Sequence, residues 1–393
     1  MSITMYNCGF GDCFCIEDEY VKRPLYVDFG IHRRSLVGKK LTRYNEITEE
    51  MMDISKDKKK PCDFLLTHYH EDHYSGIRRK KKKIKFENVY IPDVWKEHTL
   101  FLIVLDIIFK RKRRRATNIL DVLIAVANTG GKLYLVSRGS KIGTGLVALW
   151  PDINDLEKEA EKLIVDLDIY RFYEEYLSEL NRITFSLIQR VNKLVNQERM
   201  EIQVLTDKEA DVLSIDEIRS LVEYLDSKIQ APDNYKSKVE EFNNKISIVF
   251  QNEMQRCDEK KDCYDDKANC DNCIFRNNIR NLLFTGDVTN DVLTQLACVT
   301  GKLQMHEQYD IIKIPHHGTA SYYFDFSPYI TAGKTTCLIS NEGFSKGYNI
   351  DNEYEKSLKE AHMVSSKNNC VIKWNTSTMT RKVIDPQIKE ENL

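Results

Sequence analysis

The chain has no apolar run approaching the roughly 20 residues needed to span a bilayer. Its most hydrophobic stretch, "FLIVLDIIF" at 101–109, is too short and carries Asp106. The start, "MSITMYNCGFGDCFC", has neither a basic segment nor an apolar core of signal-peptide type, so no export signal is expected. Proline is scarce, with 8 in 393 residues, and no internal repeat is visible, which argues against linkers rich in proline and against solenoids. The 11 cysteines form an odd set without a secreted framework, so a reducing cytoplasm is the expected setting. A strong charge of one sign is also absent, because the formal net charge is only −2.

That small net charge conceals segregation. Three runs, "KDKKK" (56–60), "RRKKKKIK" (78–85) and "KRKRRR" (110–115), hold 17 of the 58 lysines and arginines and leave the remainder acidic. Such clustering is the footprint of a polyanion-binding face. The candidate nucleic-acid contacts are Arg78, Arg79, Lys80, Lys81, Lys82 and Lys83, with Lys110, Arg111, Lys112, Arg113, Arg114 and Arg115. The bland alternative is solvated charge on loops and helix faces.

Short apolar segments broken by glycine predict strands at "SITMYNCG", "CFCIEDE", "PLYVDFG", "CDFLLTH", "ENVYIP", "KLYLVS" and "LVALWP". A helix is expected across roughly 94–129. From Leu156 to about Val195 apolar residues recur near a 3.5-residue period, which predicts one long amphipathic helix. Ser214 and Glu217 have capping-box spacing and should start another. Strand character returns at "KISIVF" (245–250) and "RNLLFTGD" (280–287). The expected organisation is therefore a β-rich α/β (α+β) domain over 1–152 and 243–393, with a helical insertion over 153–242. Helices of near-heptad pattern could cap the domain, pair two copies of the chain or receive a protein partner.

"LLTHYHEDHYSG" (65–76) places His68, His70, Asp72 and His73 immediately behind an apolar strand. Imidazoles and a carboxylate converging from one tight turn suit a divalent metal, with zinc the default and manganese also suited to the carboxylates. A satisfied core histidine explains a lone His, not this cluster. A second group, Cys257, Cys263, Cys270 and Cys273, lies in a polar stretch of 257–273 and suggests an additional structural zinc, with an iron–sulfur site or free thiols as alternatives. Cys8, Cys13, Cys15, Cys62, Cys298, Cys337 and Cys370 read as buried apolar residues.

The His-x-His-x-Asp-His pattern resembles the signature of the metallo-β-lactamase superfamily. "YVDFG" (26–30), "LLFTGD" (282–287) and "IIKIPHHGT" (311–319) follow in that family's order. "NCGFGDCFCI", "LWP" and "NNKISIVF" are similar to the competence-type branch, which includes the hydrolase domain of bacterial DNA-uptake channels. The resemblance implies an αβ/βα sandwich with two divalent metals at one edge. It implies His68, His70 and Asp287 on one metal, and Asp72, His73, Asp287 and His317 on the other, with Asp287 bridging. His316 would be the proton donor to the leaving oxygen, Asp72 would belong to the catalytic set, and Asp12, Asp28 and Asn244 would support it; the roles of His316 and His317 could be exchanged. One departure is the want of a further histidine ligand between the first motif and Asp287, where only His98 occurs. The expected activity is phosphodiester hydrolysis by a nuclease of DNA or RNA. A small-molecule hydrolase acting on a cyclic nucleotide, phosphodiester or lactone, and a non-catalytic nucleic-acid-binding module, are the alternatives.

Overall fold

The computed structural model describes residues 2–6, 8, 11–17, 21–30, 45, 49, 61–78, 84, 86–110, 119–129, 131–195, 212–229, 235–253, 281–340, 350–365, 371–375 and 380–384. Fifteen short strands occur among them: β1 Ser2–Met5, β2 Phe14–Glu17, β3 Leu25–Val27, β4 Cys62–Leu65, β5 Phe86–Pro92, β6 Lys132–Val136, β7 Lys141–Ile142, β8 Leu146–Trp150, β9 Val249–Asn252, β10 Leu282–Phe284, β11 Ile311–Lys313, β12 Thr336–Ile339, β13 His362–Ser365, β14 Val371–Asn375 and β15 Thr380–Ile384. They form two mixed sheets, ordered β15-β14-β1-β2-β3-β4-β5-β6 and β13-β12-β11-β10-β9-β8-β7.

Alternation along the strands explains why the sheets stack. Successive side chains of a strand point to opposite faces. Leu25 and Val27, Leu282 and Phe284, and Leu338 belong to one buried cluster; their neighbours Tyr26, Leu283, Cys337 and Ile339 belong to a second. The first cluster is the seam between the sheets, where the Phe284 ring stacks on Phe250 at 5.1 Å and meets Phe14 of the other sheet edge-on at 5.4 Å. The second cluster joins the outer faces to the helices.

Those helices gather round one apolar rod. Helix α2 (Glu97–Lys110), after the short α1 (Glu71–Arg78), buries Leu100 through Leu105 together with Ile107 and Ile108. A helix apolar on every side needs partners on every side. It finds them in α4 (Ile153–Asp166), α6 (Leu177–Leu194), α7 (Ile215–Lys228) and α8 (Tyr235–Lys245). Its buried Asp106 accepts from Asn243 Nδ2 of α8 at 2.8 Å. The helices of 153–242 thus share a core with the sheets. Among the described residues no helix is long and apolar enough to cross a membrane.

Three expectations change. The helix expected across 94–129 is two, α2 and α3 (Ile119–Thr129), separated by residues outside the described set. The long helix from Leu156 to Val195 is broken into α4, α5 (Ile169–Phe172) and α6, with Asp168 at φ +49° between the first two. Packing is the reason: α2 is about 21 Å long at 1.5 Å per residue, and a straight helix of some forty residues could not lay both halves on it. "KISIVF" yields only its end to β9, because α8 runs on to Lys245. Two other expectations hold. Ser214 Oγ accepts from the Glu217 N–H while the Glu217 carboxylate accepts from the Ser214 N–H. β9 pairs antiparallel with β10, Phe250 opposite Phe284. Cys298, expected inside, is exposed at the end of α9 (Asn290–Ala297).

Candidate metal centre

Strands β3 and β4 are parallel neighbours in one sheet, and β10, β11 and β12 in the other. Parallel strands deliver the residues after their carboxyl ends to one edge. Asp28 follows β3, His68 follows β4, Asp287 follows β10, His316 and His317 follow β11, and Ser340 follows β12. The backbone knits these loops together. The Asp28 N–H donates to Leu65 O at 2.8 Å, Phe29 N–H to His73 O at 2.7 Å, and Asp12 N–H to Asp72 O at 3.1 Å. Gly30 is required where the chains nearly touch, since a Cβ there would fall 1.4 Å from Asp72 O.

The side chains form an ordered set of donors. Asp28 Oδ1 accepts the Thr67 N–H at 2.7 Å, and Oδ2 accepts Thr67 Oγ1 at 2.7 Å and bonds His73 Nδ1 at 2.8 Å. That leaves His73 Nε2 to face Asp287 Oδ2 at 3.1 Å. His317 Nδ1 is bonded to Ser340 O at 2.7 Å, and its Nε2 lies 3.7 Å from Asp72 Oδ2 and 3.9 Å from Asp287 Oδ2. The His68 ring lies 4.0 Å from that of His73 and 4.6 Å from that of His70, and His68 Nε2 is buried without a hydrogen-bond partner. Three groups of potential ligands result, all containing His73: His68 with His73 and Asp287, Asp72 with His73 and His317, and Asp12 with Asp28 and His73.

Charge is concentrated here in a buried volume. Burial opposes ionisation of Asp287, yet Lys313 and His73 hold its carboxyl well below the usual range. Asp12 is likewise lowered against burial, chiefly by Lys313. Burial, helped by His73, keeps the His68 imidazole well below its ordinary value. His73 is raised against burial by Asp287 and Asp28.

The residues expected from the sequence distribute unevenly. His68, Asp72, His73, Asp287 and His317 converge, with Asp12 and Asp28 behind them and His70 beside His68. His316 stands outside the ligand groups: its N–H donates to Asp287 Oδ1 at 3.2 Å, Nδ1 pairs with Thr319 Oγ1 at 2.8 Å, and its ring stacks on Tyr322 at 3.9 Å. Asn244 Nδ2 donates to Tyr322 Oη at 2.6 Å. His98 is engaged elsewhere, its Nδ1 2.9 Å from Glu157 Oε1. Arg78 and Lys110 end helices, whereas 79–83, 111–115 and the four cysteines at 257, 263, 270 and 273 lie outside the described residues. Sequence reading missed Lys313 and Tyr322. A lysine flanked by isoleucines in a buried strand was the available signal for the first. No protein-family model matches the chain, and no curated protein is significantly similar to it.

Proposed function

We propose that this chain is a metal-dependent hydrolase of phosphodiester bonds, a nuclease of metallo-β-lactamase type. The observation that carries the reading is the presentation of the imidazoles. His73 and His317 each have Nδ1 engaged by an acceptor, so that Nε2 is offered to a volume shared with Asp72 and Asp287. An outer acceptor that fixes the ring and its tautomer is the usual support of a histidine ligand. Metal–ligand bonds of about 2.0–2.2 Å imply ligand separations of roughly 3.3–3.6 Å around a tetrahedral ion. The separations of 3.1, 3.7 and 3.9 Å bracket that range, and the buried, unpartnered His68 Nε2 fits a ligand atom too.

Bound divalent ions would supply Lewis acidity and activation of water at neutral pH. The remaining work falls to the chain. Asp28 fixes His73, and Asp72 and Asp287 provide the negative charge; His68, His73, His317 and Asp287 are buried, while the Asp72 side chain, 30% exposed, opens the set to solvent. His316, set beside Asp287 and braced by Tyr322 and Thr319, would hydrogen-bond the departing oxygen and take the proton-donor role there, with burial holding its imidazole below the ordinary value. The basic segments around 78–85 and 110–115 suit a polyanionic substrate, which favours nucleic acid over a small ester.

The test is a digestion panel of single- and double-stranded DNA and RNA, with cyclic nucleotides alongside, using chelator-stripped protein reloaded with Zn2+ or Mn2+. Metal-dependent polymer cleavage, abolished in Asp287→Asn, is expected. The asparagine variant is preferred to alanine because it keeps a polar partner for Lys313. Affinity for polymer should fall with salt by about 0.7–0.9 log units per phosphate contact. Metal-loaded protein that cleaves none of these substrates would overturn the reading; turnover confined to cyclic nucleotides would move it to a small-molecule phosphodiesterase.

A further inference from the structure

A buried lysine sits among the carboxylates of this centre. Lys313 ends β11 and is 1% exposed. Its Nζ donates to Gly286 O at 2.7 Å and to Asp287 Oδ1 at 3.1 Å, and lies 2.7 Å from Asp12 Oδ2. An ammonium has three donors, and three oxygens surround it. Asp287 Oδ1 also accepts the His316 N–H at 3.2 Å, so this oxygen is committed twice. The other oxygen, Oδ2, faces the imidazoles of His73 and His317.

The three candidate ligand groups overlap at His73; Asp12 and Asp28 lie on its Nδ1 side, where Asp28 Oδ2 is bonded at 2.8 Å, so the other two compete for Nε2. A single Nε2 lone pair serves one ion. With His73 given to the group of Asp72 and His317, the other side keeps His68, the neighbouring His70 and a share of the same Asp287 oxygen. The first side then has two carboxylates and two imidazoles, while the second has no carboxylate of its own. Removing the lysine charge from this place is costly, because it would leave Asp12 and Asp287 buried without their counter-ion.

We propose that Lys313 is a resident cation that reserves Asp287 Oδ1 and makes the metal centre unequal: one divalent ion is held tightly by Asp72, His73, His317 and Asp287 Oδ2, and a second, on His68 and His70, is held far more weakly. The inference rests on the reading of this cluster as a metal site. It assigns Lys313 a positioning role, setting which carboxylate oxygen is offered and how many ions stay bound.

Chelator-stripped full-length chain is titrated with Mn2+, with free ion followed by electron paramagnetic resonance. Manganese is chosen because thiolates, including those at 257–273, favour softer ions. One equivalent should bind tightly and a second with a dissociation constant at least about tenfold higher, given the missing carboxylate and the nearby ammonium. In Lys313→Gln and Lys313→Met the gap should narrow, and the melting temperature in chelator should drop and recover with Mn2+. Two equivalents of equal affinity in the wild-type chain would overturn the inference while leaving the metal reading intact. So would a Lys313→Gln titration superimposable on wild type. A wild-type chain that retains neither Mn2+ nor Zn2+ would overturn the metal reading itself. If the lysine variants do not fold, the wild-type titration alone decides.

Discussion

Replacing Asp28 by asparagine isolates one atom's role in the centre. The carboxylate accepts from the Thr67 N–H and hydroxyl and holds His73 Nδ1 at 2.8 Å. Asparagine keeps the shape, and its φ of +57° is one that asparagine tolerates, so the backbone adds no new strain. Its carbonyl can still serve Thr67, but the amide then meets His73 Nδ1 as a donor. The ring must accept there, which moves its proton to Nε2 and aims it at Asp287 Oδ2. The ligand lone pair is lost. Substitution of such an outer partner costs roughly 10–100-fold in metal affinity, or about 1.4–2.7 kcal/mol. Competition titration against a chromophoric chelator measures this, with thermal melts confirming that the variant is folded. A folded Asp28→Asn chain with wild-type affinity would refute the orienting role.

Phe284→Ala should cost about 3–5 kcal/mol, because it opens the seam where Phe14 and Phe250 meet that ring; urea unfolding showing a loss below about 1 kcal/mol would count against the stacked-sheet core. Asp93 gives a pH signature: burial pushes its carboxyl from 3.8 up to about 6. An acid raised in the folded state leaves stability intact below the unfolded value and erodes it as pH rises through the folded one, here by about 2–3 kcal/mol at pH 8. Asp93→Asn should therefore melt higher than wild type at pH 8 and close to it at pH 4, and equal melting temperatures at both would dismiss the argument.

Much of the centre was legible because metal chemistry restricts residue types. His68, His70, Asp72 and His73 stood out by local spacing, and Asp28, Asp287 and His317 only through the family resemblance of "YVDFG", "LLFTGD" and "IIKIPHHGT". The residues leading into β9 reach the site edge, where the Asp287 N–H donates to Ser247 Oγ at 3.2 Å. Lys313 was hidden because Asp12 comes from the far end of the chain and the other sheet, while Asp287, 26 residues away, meets it only through the parallel pairing of β10 with β11. Tyr322 was hidden because stacking on His316 leaves no spacing pattern. The break at Asp168 has neither glycine nor proline to announce it, and only packing on α2 requires it. Asn244, singled out by resemblance alone, acquires a physical reason in its bond to Tyr322.

Anomalous diffraction from crystals soaked in Mn2+ tests most directly whether this cluster is a metal centre. The dominant peak should lie among His73 Nε2, His317 Nε2, Asp72 and Asp287 Oδ2, within about 2.0–2.3 Å of each. Ordered crystals at saturating Mn2+ with no peak there, or with Asp287 turned wholly toward Lys313 and the imidazoles hydrogen-bonded among themselves, would contradict the account.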